Sequence, residues 1–144
     1  MKFYNLKCEV PGRLGSETIY DKNVTPWVIK NLHVVFDGWM GGDILTVSSC
    51  LIVTDSLKGK LSFEFSGIKS YEHFQLDESE NMRTLQSDLE LPKFSRMLVG
   101  INAFEDDFAL TIYKGLYNQL IISDRAKQVL EQYNLGNYSI ELAD

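Results

Sequence analysis

The sequence is short of the residues from which metal sites and disulfide frameworks are made. It holds two cysteines and two histidines. Cys8, Cys50, His33 and His73 show neither C-x-x-C nor H-x-x-x-H spacing, so no structural zinc site is expected, since that needs about four nitrogen or sulfur ligands held together. Two cysteines are too few for a disulfide scaffold, and the opening MKFYNLKCEV has no apolar stretch of signal-peptide length, so a cytoplasmic protein with reduced thiols is expected. No apolar run approaches the length of a bilayer-spanning helix; Leu51 to Val53 and Leu120 to Ile122 are of strand size. Basic residues are also scarce, 14 against 20 acidic ones, for a net charge of -6. That balance argues against a nucleic acid partner, because phosphate binding needs clustered Lys and Arg to replace condensed counterions. It leaves solubility, or long-range attraction to a basic protein, as the reason for the acidity.

What is present is a chain of 144 residues with 44% apolar content, enough for one domain with its own core. Lys2 to Cys8 reads as a strand stopped by the turn pair Pro11-Gly12. Leu14 to Trp27 is rich in turn formers, with an extended piece around Thr18 to Tyr20 and a Pro26 that discourages helix. Leu32 to Phe36 is a second apolar strand. Asp37-Gly38 and Gly41-Gly42 then bracket Trp39-Met40, and Ile44 to Val47 and Cys50 to Val53 follow as strands. Farther on, Leu76 to Asp88 reads as an acidic loop with a helical turn, Phe94 to Ile101 as a buried strand, and Glu105-Asp106-Asp107 as a turn ahead of Phe108 and Leu110.

An internal repeat organises much of this. Residues 51 to 73 align with 120 to 142 at an offset of 69, with eight identities that include Leu51 with Leu120, Asp55 with Asp124, Leu61 with Leu130, Gly67 with Gly136 and Glu72 with Glu141. Each copy has a strand, a Thr or Ser at the N-cap, an Asp in the first turn, a helix of about three turns, a glycine near its C-terminus and a returning strand. Thr54 and Ser123 can accept hydrogen bonds from the orphan N–H groups of a helix start, and Asp55 and Asp124 complement its dipole. These are structural roles, worth about 1 kcal/mol per cap. In the first copy Gly59 weakens the helix, and Phe63 and Phe65 alternate with polar residues as a strand would.

No motif for catalysis stands out. Cys50 with one of the two histidines could supply a nucleophile and base, but Cys50 opens an apolar strand, where small buried cysteines pack. GWMGGD at 38 to 43 has neither the lysine and hydroxyl of a phosphate loop nor a dinucleotide spacing. Its Trp39 is either a core residue or an exposed anchor at an interface. Glu105, Asp106 and Asp107 adjoin one another without a second acidic group of catalytic spacing, and they read as a solvated turn or as part of an acidic recognition edge with Asp77, Glu78 and Glu80.

Several phrases in order, MKFYNL, VPGRLG, LHVVFDGWMGGDIL, CLIVTD, ELPKF, EDDFAL and LIISDRAKQVLEQYNLGN, resemble the bacterial polymorphic-toxin immunity proteins, most closely the group known as immunity protein eleven. The resemblance covers nearly the whole chain. It departs from the family pattern at Ala109, where glycine is expected after DDF, and at Val34-Val35, where an aromatic-acidic pair is usual. It implies a cytoplasmic protein that binds a cognate toxin and blocks it without catalysing a reaction, with no active-site residues and no cofactor to carry over.

The expectation is therefore one α+β domain, a mixed sheet with about two main helices built in part from the duplicated strand-helix-strand unit. It would occlude a toxin's active site or substrate channel through Trp39, Asp77, Glu78, Glu80, Glu105, Asp106 and Asp107. A third reading is a structural or assembly module whose Trp39 surface forms a homo-oligomer, although an immunity protein can also be a homodimer. The rival is a small enzyme or ligand-binding domain whose pocket is lined by Cys50 and the acidic turn, with Cys50 or His73 facing solvent beside carboxylates.

Overall fold

In the computed structural model, which describes residues 2–62 and 64–143, the chain runs β1 (Phe3–Lys7), β2 (Gly12–Leu14), β3 (Ile19–Asp21), β4 (Val28–Asn31), β5 (His33–Phe36), β6 (Ile44–Val47), β7 (Cys50–Thr54), α1 (Asp55–Leu61), β8 (Ile68–Glu72), β9 (Gln75–Glu78), α2 (Glu80–Leu85), β10 (Phe94–Val99), β11 (Phe108–Tyr113), β12 (Leu116–Ser123), α3 (Asp124–Leu130) and β13 (Ser139–Ala143). This is the α+β domain the pattern predicts, with three short helices in place of two main ones. The capped helices α1 and α3 have seven residues each, about two turns and not three. Phe65 is a buried core residue in the turn after α1, not part of a strand, and Phe63 lies outside the described residues. No helix among the described residues is long and apolar enough to cross a membrane.

The repeat is real in three dimensions and larger than the sequence shows. Two four-stranded antiparallel sheets have the orders β6-β7-β10-β8 and β11-β12-β1-β13. In each, a hairpin leads through a capped helix to a strand two places away, and a strand from the other half of the chain fills the gap. The registers coincide. Phe94 faces Thr54 as Phe3 faces Ser123, Arg96 faces Glu72 as Asn5 faces Glu141, and Ile44 faces Val53 as Phe108 faces Ile122. Each half thus donates its first strand to the other half's sheet, an exchange that ties the two copies into one unit.

The caps follow the same symmetry. Thr54 Oγ1 accepts from Leu57 N and Ser123 Oγ from Ala126 N. Each cap hydroxyl in turn donates to an aspartate at the start of the preceding hairpin, Thr54 to Asp43 at 2.7 Å and Ser123 to Asp107 at 2.6 Å. Each aspartate also accepts from the backbone of the turn after the opposite helix, Asp43 from Asn134 N and Asp107 from Ser66 N. The matched glycines are needed because both have positive φ, 93° at Gly67 and 62° at Gly136, and a Cβ would meet the Phe108 carbonyl oxygen in one case and the Glu9 carboxylate in the other.

The inner faces of the two sheets and the buried helix side chains Leu57, Leu61, Ala126 and Leu130 make up the first core cluster. The outer face of the first sheet is buried as well. Two insertions, residues 11–42 and 73–93, supply the three-stranded sheet β2-β5-β9, helix α2 and the β3–β4 hairpin, and Phe36, Val34 and Met82 pack on Leu45 and Ile52 to form a second cluster. Strand β9, parallel to β5, lies where an acidic loop was expected.

Candidate functional site

Three of the seven predicted surface residues, Trp39, Asp77 and Asp107, are engaged within the molecule. Trp39 is half-buried against the second cluster and meets Phe94 edge-on at 5.8 Å. Its indole N–H donates to the Gly42 carbonyl, and its backbone N–H and C=O are both paired with the Gln86 side chain. Of the glycines around it, Gly42 closes on Glu9, a buried carboxylate that accepts from Met40 N at 2.8 Å and Gly42 N at 3.1 Å, while Gly41, at positive φ, abuts Asn134. The GWMGGD segment is therefore a loop wrapped on an internal acid.

Asp107 has a side chain only 14% exposed and accepts from Ser66, Ser123 and Arg125. It is a cap support, not a free recognition group. Asp77 receives a 2.7 Å hydrogen bond from His33 Nε2. Because His33 Nδ1 accepts from Glu17 N, the imidazole proton sits on Nε2, which fixes the ring as donor to Asp77. The His33 bond, followed by that of Gln75, holds the Asp77 carboxyl below its ordinary value of 3.8. A carboxylate with a depressed folded-state pKa contributes stability above its unfolded value, and that contribution disappears as pH falls through the folded value. Denaturant titrations should therefore show stability declining below about pH 4, and Asp77→Asn should flatten the decline.

Glu80 and Glu105 are exposed, and Glu78 and Asp106 half-buried. Asp77, Glu78 and Glu80 sit on β9 and the start of α2 over the first sheet, while Glu105 and Asp106 precede β11 of the second. Among the described residues no hydrogen bond or ion pair joins the two groups.

A cleft of about 490 Å³ opens where the β3–β4 hairpin meets the β6–β7 and β11–β12 turns. One rim carries Tyr20 and Trp27, the other Leu116 and Tyr117. Trp27 is 50% exposed, stacks edge-on with Tyr20 at 6.1 Å and lies under Lys22 Nζ at 4.8 Å from its ring. At the floor, Cys50 and Arg96 come together. Burial pushes the Cys50 thiol above its ordinary value, with the neighbouring guanidinium pulling the other way, so at neutral pH it is a protonated packing group. Arg96 is 8% exposed and donates to the Ile29 carbonyl at 2.6 Å, which anchors the hairpin to the first sheet.

Cys50 does line a pocket, as the rival reading expects, but Glu105, Asp106 and Asp107 do not. His73 is exposed in a second cleft of about 320 Å³ with Glu17 and Glu72, which shares Arg96 with the first, and no hydrogen bond joins His73 to either carboxylate. Among the described residues no three His, Cys, Asp or Glu side chains are placed to hold a metal ion. Arg96 and Trp27 escaped the sequence reading. The available signals were a lone arginine in the otherwise apolar strand FSRMLV and a tryptophan next to Pro26 in a turn-rich segment.

Comparison with protein-family models, with curated proteins and with solved structures finds no match in any of the three.

Proposed function

We propose that the chain is a non-catalytic immunity protein that binds a cognate bacterial toxin in the cytoplasm and covers its active site or substrate channel. The observation that carries this reading is the Tyr20–Trp27 pair, two large aromatic rings held out on a short hairpin that is fixed from below by Arg96. Half-exposed tryptophan on a preorganised element is the side chain type on which protein interfaces concentrate their affinity. The resemblance of the sequence to the immunity proteins supports the same reading. Exposed carboxylates at Glu80 and Glu105, in a chain of net charge -6, would steer a basic partner and act chiefly on the association rate.

The test uses the purified product of the gene immediately upstream. Trp27→Ala should weaken its complex about 30-fold or more, the scale of an interface hot spot, with the unfolding transition unchanged because the ring supports little of the core. Charge reversal of Glu105 and Asp106 should slow association and reduce its dependence on salt. Absence of a complex would remove the reading; an unchanged affinity for Trp27→Ala would remove the aromatic anchor from it.

A further inference from the structure

The main cleft has a chemical character opposite to that of the protein as a whole. The chain carries 20 acidic residues, yet no described Asp or Glu lines the cleft, and its charged lining residues are Lys22 and Arg96. The rest of the wall is apolar or aromatic apart from Ser48, Ser49 and the Cys50 thiol.

Arg96 is the unusual member. A side chain 9% exposed carries a permanent positive charge whose ion-pair partner, Glu72, lies at 3.8 Å from Nη1 and is itself 47% exposed. A guanidinium has several N–H donors arranged to grip a carboxylate, and here the Ile29 carbonyl takes a bond from Nη1 alone. No buried side-chain nitrogen or oxygen among the described residues lacks a partner, so the other guanidinium nitrogens either are bonded or reach water-accessible space; Arg96 borders both this cleft and the second one, where Glu17 and Glu72 stand, and on this side no described carboxylate faces it. At the pseudo-symmetric position the second sheet has Asn5, which is neutral, so the exchanged-strand architecture does not require an arginine here. The volume is that of a site for a compact organic ligand.

We infer that this cleft binds a compact amphiphilic carboxylate, with an aromatic or aliphatic body between Trp27 and Leu116 and its acid group directed at Arg96 on the floor. The ligand is either a free acid or an acidic side chain presented next to an apolar one on a peptide. The inference does not rest on the toxin reading, because the isolated chain suffices to bind.

The experiment follows the indole N–H resonance of Trp27 by NMR during titration of the whole chain with 4-phenylbutyrate and with its neutral amide. A second pair of probes is a blocked Phe-Glu dipeptide and its Phe-Gln counterpart. The acid member of at least one pair should bind about tenfold or more tightly than the neutral member, the scale of one charge-assisted hydrogen bond. Preference within the first pair identifies a free acid, and within the second a peptide-borne carboxylate. Arg96→Gln should abolish the preference. Since that change also releases the hairpin, Trp27→Ala serves as a folded control, read by calorimetry, in which acid and amide weaken together. Equal binding of acid and neutral probes in both pairs, or no shift of the Trp27 resonance with either, overturns the inference whatever the outcome with a toxin.

Discussion

Phe36→Ala and Phe108→Ala each lower the free energy of unfolding by about 3–5 kcal/mol and the Tm by on the order of 10 °C. Both rings are fully buried, Phe108 in the first cluster and Phe36 in the second. Neither site can collapse easily. Phe108 is held between Phe65 and the inner face of its own sheet, and Phe36 meets Phe94 edge-on at 5.4 Å. The two substitutions should also melt the protein as one unit, because strands β6 and β7 separate the clusters and contribute to both, Ile44, Leu51 and Val53 to one and Leu45, Cys50 and Ile52 to the other. Unfolding followed by far-UV circular dichroism and by tryptophan fluorescence, with Trp39 packed on the second cluster, should give coincident transitions in each variant. An early fluorescence transition in Phe36→Ala, with secondary structure retained, would mean that the inserted layer folds separately from the duplicated sheets.

Asp107→Ala and Asp43→Ala should each cost about 2–4 kcal/mol, more than the cap hydroxyls they support. Asp107 accepts from Ser66 N and from the hydroxyl of Ser123 and pairs with Arg125, and Asp43 accepts from Asn134 N and the hydroxyl of Thr54. Alanine leaves the backbone N–H of the opposite turn without its acceptor and frees the cap rotor at the same time. Glu105→Lys, two residues from Asp107 but exposed, should stay within about 0.5 kcal/mol of the parent. Chemical denaturation of the three variants checks the contrast. Equal effects at Asp107 and Glu105 would return Asp107 to the surface and undo the cap network.

The copies were legible because cap chemistry leaves residue-specific marks. Thr54 and Ser123, Asp55 and Asp124, and Gly67 and Gly136 each answer a local backbone demand, so they survive where core residues diverge, as Leu57 and Ala126 do. The exchange of β1 and β10 was not legible, since alternation along a strand specifies which residues face inward but not which sheet receives them. Asp43 was hidden behind the glycines before it, whose function depends on Glu9 and Asn134, far away in sequence. The glycines flanking Trp39 suggest presentation, whereas Gly42 permits close approach of the loop to Glu9 and Gly41 to Asn134. Of the proposed recognition residues, Asp77 and Asp107 are acidic for intramolecular reasons that a single sequence cannot separate from surface charge. Glu80 and Glu105 remain as exposed acids, and the aromatic pair Tyr20 and Trp27 became visible only when the hairpin was placed beside the cleft.

Growth protection measures the central claim most directly. Under the proposed reading, cells co-expressing this chain with the product of the gene immediately upstream should grow, and cells in which Tyr20 and Trp27 are both alanine should die although the variant accumulates in folded form. Undiminished protection by that double variant, or toxicity with the parent chain present and no complex formed, would contradict the account.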